Sequence, residues 1–116
     1  MFKVIVAGGR EFNDYQLLKN KLDQLLQNKT NVEIVCGKAR GADTFGETYA
    51  KEMGYSVKEF PAQWSEFGKR AGYIRNEEMA KYADACVVFW DGQSKGTKHM
   101  IDLANKHKIE VRIIKY

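Results

Sequence analysis

A chain of 116 residues with 44% hydrophobic and 29% charged side chains has the size and composition of one compact domain, expected here over residues 1–116, and its lone proline beside ten glycines gives no sign of a disordered tail, so order almost end to end is expected. The balance of 19 basic against 15 acidic residues, +4 overall, suits an anionic ligand but falls short of what dedicated duplex binders carry. No apolar run approaches the roughly 20 residues of a bilayer span, and Met1-Phe2-Lys3 leads directly into a strand, so a cytoplasmic protein without a membrane partner is expected.

Phe2 to Ala7 is a short apolar run halted by Gly8-Gly9-Arg10, the pattern of a buried strand entering a tight turn. Asn13 or Asp14 can cap the helix that follows, from Tyr15 to Gln27, where Leu17, Leu18, Leu22, Leu25 and Leu26 share one face. Val32 to Cys36 reads as a second strand and stops at the loop Gly37-Lys38-Ala39-Arg40-Gly41-Ala42-Asp43. Thr44-Phe45-Gly46-Glu47 fits a capping box for a second helix ending at Gly54. Ser56 to Phe60 is a third strand. Pro61 to Gly72 lacks clean periodicity but carries Trp64, Phe67 and Arg70, so it is expected to be a loop with material to bury or to bind with, or a short lid.

A third helix is expected from about Gly72 to Tyr82, with Ile74, Met79 and Tyr82 inward. The run Cys86-Val87-Val88-Phe89-Trp90 is continuous rather than alternating, as a central parallel strand covered on both faces requires. It ends in Asp91-Gly92-Gln93-Ser94-Lys95-Gly96-Thr97, where Thr97 is placed to cap a fourth helix whose free amides favour an anion. A plain strand-helix turn is the alternative. That helix finishes in Lys106-His107-Lys108, His107 being a favourable dipole contact, and Glu110 to Tyr116 forms an edge strand.

Five strands alternating with four helices through short connections predict an α/β fold: a Rossmann-like domain whose five-stranded parallel sheet, order 3-2-1-4-5, has helices on both faces. In that order the winding reverses between the first and fourth strands, and ligands bind in the crevice there. Candidate binding residues are therefore Gly8, Gly9 and Arg10 on the first loop and Gly37, Arg40, Gly41 and Asp43 on the second. Asp91, Gly92, Ser94, Gly96 and Thr97 supply the fourth-strand loop. Arg10 and Arg40 can flank a phosphate or carboxylate, or merely face solvent. Arg75 and Asn76, near the start of the third helix, can clamp an anion and read a base or ribose edge. Trp64 either stacks on a base or packs on its own domain.

Asp91 and Asp43 can contact ribose hydroxyls or act as a base, and loop hydrogen bonds explain both equally simply. His99 and Asp102, three residues apart, resemble an acid/base pair without a third partner. Cys36 and Cys86 sit in apolar runs with no metal-ligand spacing, so core packing is expected and neither a metal nor a cofactor is called for.

Together Gly8-Gly9-Arg10, the G-K-A-R-G-A-D stretch at 37–43, R-N-x-x-M at 75–79, A-D-A at 83–85 and F-W-D-G-x-S-x-G-T at 89–97 resemble the YspA-type, YpsA-related branch of the SLOG superfamily over essentially the whole chain. The resemblance implies a Rossmann-like fold and a nucleotide-type ligand. In the LOG-type phosphoribohydrolases of the superfamily an R-K-x-x-M helix precedes P-G-G-x-G-T and an acidic catalytic residue three positions later. Arg75, Gly96 and Thr97 match, but the acidic position falls on Met100, and Asp91-Gly92-Gln93-Ser94 replaces Pro-Gly-Gly. DprA, a single-stranded DNA binder, is similar in the G-K-A-R-G-A-D and R-N segments.

Three functional expectations follow. The first is binding of a nucleotide or nucleotide-derived ligand at the switch point, as sensor, carrier or sequestering module. The second is N-glycosidic hydrolysis or transfer on a nucleoside monophosphate, with Asp91 and Arg75 as the catalytic candidates and Asp102 as a further substitute acid. The third is binding of single-stranded nucleic acid. A homo-oligomer is expected from the habit of the superfamily and from Tyr49 and Tyr73, read as exposed aromatics, and Arg75 is expected to be exposed at the crevice.

Overall fold

A computed structural model describes residues 1–37 and 41–116. Arg40, one of the expected anion ligands, lies outside the described residues. Among these residues the chain alternates β1 (Phe2–Gly8), α1 (Tyr15–Leu26), β2 (Val32–Cys36), α2 (Ala42–Met53) and β3 (Ser56–Glu59). It continues through α3 (Trp64–Phe67), a 3-10 turn (Gly68–Arg70), α4 (Ala71–Tyr82), β4 (Ala85–Trp90), α5 (Lys95–Lys106) and β5 (Glu110–Lys115). The strands form one five-stranded sheet in the order β3-β2-β1-β4-β5, every neighbouring pair parallel. None of the described helices is long and apolar enough to cross a membrane.

The sheet is covered on both faces, which explains the unbroken apolar runs. Val4 and Val6 of β1 point with Val87 and Phe89 of β4 into one core, against Leu18, Leu22 and Leu26 of α1 and Tyr49 of α2. Ile5 and Ala7 point with Cys86 and Val88 to the other, against Met79 and Ala80 of α4 and Met100, Leu103 and Ala104 of α5. Both cysteines are buried and neither forms a disulfide, and burial pushes the Cys86 thiol up to about 12.

Local chemistry sets the helix starts, in two places differently from the expectation. Asp14 caps α1, its Oδ1 accepting from the Leu17 amide at 3.0 Å. α2 begins at Ala42 rather than in a Thr44 capping box, because Gly41 makes the turn at φ 81° and Asp43 is committed elsewhere: its Oδ2 accepts from the Gly37 amide at 3.0 Å. A side chain on Gly41 would strike the Gly9 carbonyl and the Arg10 backbone. α5 is capped by Ser94 rather than Thr97; the Ser94 hydroxyl accepts from the Thr97 amide at 3.4 Å. Asp91 sets this frame by taking the amides of Gln93 (2.8 Å) and Ser94 (2.9 Å) on Oδ1, so that helical turns start one residue later.

Two further readings are corrected. The segment from Pro61 contains a short helix and a 3-10 turn that lead directly into α4, rather than an irregular loop. Tyr49 is not a surface aromatic: it is 1% exposed, and its hydroxyl donates to Asp23 of α1 at 2.7 Å. Burial raises the Tyr49 phenol, while the bond from that phenol holds the Asp23 carboxylate low.

Candidate functional site

The carboxyl ends of β1 and β4 part where the winding reverses, and a cleft of about 450 Å³ opens between them. Its floor is Ala7, Gly8, Met79 and Met100. Gly8 pairs with Phe89 in the sheet, and a Cβ on it would lie 2.5 Å from the Phe89 carbonyl oxygen and 2.8 Å from the Cβ of Ala42. The approach of α2 to the switch point therefore depends on a residue without a side chain there.

Around this floor the structure gathers Gly8, Gly9, Arg10, Asp43, Trp64, Arg75, Asn76, Asp91, Ser94, Gly96 and Thr97 from five separate segments of sequence. Gly37 and Gly41 are not among the residues lining the cleft: Gly37 lies against Arg75 and Gly41 against the backbone of Gly9 and Arg10, while Gly92 lines a neighbouring hollow. The cleft also contains Glu11, Lys69, Gly72, Tyr73 and Tyr116, which the sequence alone did not assign to the site. The parallel register of β5 on β4, Trp90 against Lys115, carries the next residue, Tyr116, to the cleft mouth. There its ring meets Phe12 edge-on at 4.8 Å.

Arg75 is the best-anchored cation of the site. Its Nη1 donates to the Gly37 carbonyl and its Nε donates to Asn76 Oδ1 at 3.0 Å, while Nη2 has no acceptor among the described residues. This arginine is half-buried rather than exposed as expected. Burial pulls its guanidinium below the usual range, Asp43 acts in the opposite direction, and Arg10 adds to the lowering. It remains a cation at any working pH. Asn76 is itself 8% exposed, and its Nδ2 lies 3.3 Å from His99 Nδ1. His99 is thus joined to Asn76 rather than paired with Asp102.

At the other wall, Ser94 and Asp91 already occupy three of the amides that could greet an anion. Among the described residues those of Lys95 and Gly96 have no protein acceptor. The Gln93 and Ser94 amides hold the exposed Asp91 carboxylate below its ordinary range, so it is an anion and a weak base. Met100 is buried in the floor. Asp102 lies outside the cleft, with both oxygens on Lys98, the shorter contact being 2.7 Å. At the rim the indole of Trp64 and the ring of Tyr73 are each about half exposed.

A family model, YAcAr, described as the YspA, cpYpsA-related SLOG family, matches residues 2–67, which carry the β1 loop and Asp43 but stop short of Arg75 and α5. The Gene 61 protein of Mycobacterium phage D29 is 35% identical over 118 residues, spanning 96% of this chain and 94% of that protein. Among solved structures the fold resembles DNA processing protein A (DprA) from Streptococcus pneumoniae, with a TM-score of 0.79 at 19% identity, over 97% of this chain. The present chain spans only about half of that protein, 50% of its length. On the family match and the fold together, the chain belongs to the YspA, cpYpsA-related SLOG family.

Proposed function

We propose that the protein binds a nucleotide or nucleotide-derived ligand in the cleft between β1 and β4, with the ligand's phosphate between Arg75 and the start of α5. The observation that carries this reading is the tethering of Arg75: two of its nitrogens are held by the protein, and among the described residues the third has no acceptor, in a cleft that Gly96 at the start of α5 also lines. A guanidinium fixed in this way has lost its side-chain entropy before any ligand arrives, which is the condition for tight anion recognition. The 450 Å³ cleft is of a size that accommodates a small-molecule ligand. Gly9 and Gly96 allow close approach of backbone to phosphate, and Asn76 offers an amide edge.

Binding without turnover is the favoured form of this function, as a sensor, carrier or sequestering module. Hydrolysis of an N-glycosidic bond needs a carboxylate able to take a proton. Met100 stands at the matching position, and Asp91 is already engaged by two loop amides. A thermal-shift panel of AMP, GMP, CMP, UMP, adenosine and 3′,5′-cyclic AMP tests the reading. A rise in Tm with a phosphorylated ligand that its nucleoside does not reproduce is expected, about 2.7 kcal/mol of stabilisation at a hundredfold excess over Kd. The absence of any shift across the panel would overturn it.

A second reading, single-stranded nucleic acid, is favoured by one specific observation: Trp64 and Tyr73 present half-exposed rings beside Lys69 at the cleft rim. Aromatic platforms next to cations bind unpaired bases without sequence preference. The fold it shares with a DNA processing protein is compatible with this use. A salt series on oligothymidylate separates the two, because strand binding weakens steeply with ionic strength.

A further inference from the structure

We propose that His99 is a positioning residue for Arg75: as a neutral imidazole it orients Asn76, Asn76 holds the guanidinium toward the cleft, and protonation of His99 releases it. The inference rests on the cleft being an anion site, but its core is hydrogen-bond logic independent of the ligand. Arginine Nε can only donate, so the 3.0 Å bond from Arg75 fixes the Asn76 oxygen on the α4 side. The amide nitrogen then faces His99 Nδ1 at 3.3 Å, and because that nitrogen is a donor, Nδ1 must accept. His99 is thereby assigned as the tautomer protonated on Nε2. A chain of hydrogen bonds links α5, α4 and the end of β2: Arg75 donates to the Gly37 carbonyl on one side and to Asn76 on the other, and Asn76 donates on to His99.

A proton taken from solvent onto Nδ1 turns the acceptor into a donor and sets two N–H groups against each other. Rotating the Asn76 amide to accept from His99 would put its nitrogen against Arg75 Nε–H, so the conflict moves along the chain rather than disappearing. The surroundings resist that proton. His99 is half-buried with its ring edge-on to Tyr73 of α4 at 4.5 Å, and burial lowers its affinity for a proton more than Asp102 on α5 and Glu77 on α4 raise it. Lys95 and Lys98 line the same hollow. The neutral form therefore persists below the ordinary histidine value, and the arrangement is lost only as pH falls through the lower folded value.

Nitrogen-detected NMR of the ligand-free protein across about pH 5 to 7.5 tests the chain directly. The expected result is a His99 Nδ1 signal of acceptor type, and an Arg75 Nε–H resonance that shifts with the His99 titration. In His99→Gln, whose carbonyl can still accept but cannot titrate, the Arg75 response disappears. Asn76→Asp, which offers His99 an acceptor in place of a donor, raises the His99 titration point. AMP affinity is measured in parallel. Its phosphate also titrates near pH 6, but equally with both proteins, so the difference between wild type and His99→Gln isolates the histidine. The wild type should lose about tenfold more affinity than the variant on acidification, the equivalent of one charge-assisted contact. A His99 tautomer protonated on Nδ1, or an Arg75 signal indifferent to the titration, overturns the proposal. A coupled Arg75 signal in a protein that binds neither AMP nor any other ligand of the panel leaves the chain intact and refutes the nucleotide reading instead.

Discussion

Replacing Arg75 by alanine should affect two quantities at once. Loss of its charge-assisted contact weakens AMP binding by roughly 1.5–3 kcal/mol, read by calorimetry. Because its Nη1 also satisfies the Gly37 carbonyl, urea unfolding should show a stability loss of about 1–3 kcal/mol, more than an exposed arginine would give. Arg75→Lys keeps the charge but not the fork, and should recover little of either. Asp91 leads to a different expectation. Incubation with the four ribonucleoside monophosphates should release no free base, and base release that vanishes in Asp91→Asn while surviving Asp102→Asn would establish an enzyme with a relocated acid. The Asp91 carboxylate titrates below its ordinary 3.8 in the folded chain, so its hold on the β4–α5 loop is complete above that value and is lost as pH falls through the lower folded one. Amide signals of Gln93 and Ser94 followed down to about pH 2.5 should report that release.

The elements differ in how plainly the sequence announced them. The apolar runs at 4–7 and 86–89 announced both inner strands, and the alternation of strands and helices with right-handed crossovers, in the doubly wound arrangement, supplied the order. Helix starts were harder, because Ser94 and Thr97 are both hydroxyl residues flanking the same turn. What decides between them is a carboxylate three residues before Ser94 capturing two amides, a choice made by the loop's path and not by propensity. Tyr49 was misplaced for a related reason: only the packing of α1 beside α2 supplies Asp23 as a partner for its hydroxyl. Most of the cleft residues were legible because glycines and arginines cluster at strand ends. Tyr73 and Tyr116 reach the site through tertiary register alone. At this scale Ser94→Ala should cost about 1 kcal/mol through the lost α5 cap. Gly8→Ala should cost about 1–3 kcal/mol as β1 and α2 are forced apart, both measured by urea denaturation.

For the molecule as a whole, a homo-oligomer remains our proposal, supported by exposed Trp64, Phe67 and Tyr73 on neighbouring surface. A monomer mass by light scattering at about 50 μM, the micromolar range in which exposed apolar surface associates, would count against it. The order of the strands has a kinetic consequence. β1 pairs with β2 early in the chain, Phe2 against Val32, whereas its other edge waits for β4, Val4 against Ala85 and Gly8 against Phe89. The cleft straddles that second seam, so closing the longest loop in the sheet precedes any binding, and a nascent chain that has reached only β3 has an open β1 edge and no site. A ligand can then act only on the finished molecule. In a chevron experiment saturating AMP should depress the unfolding rate and leave the refolding limb almost unmoved, making occupancy a brake on leaving the native state and no help in reaching it.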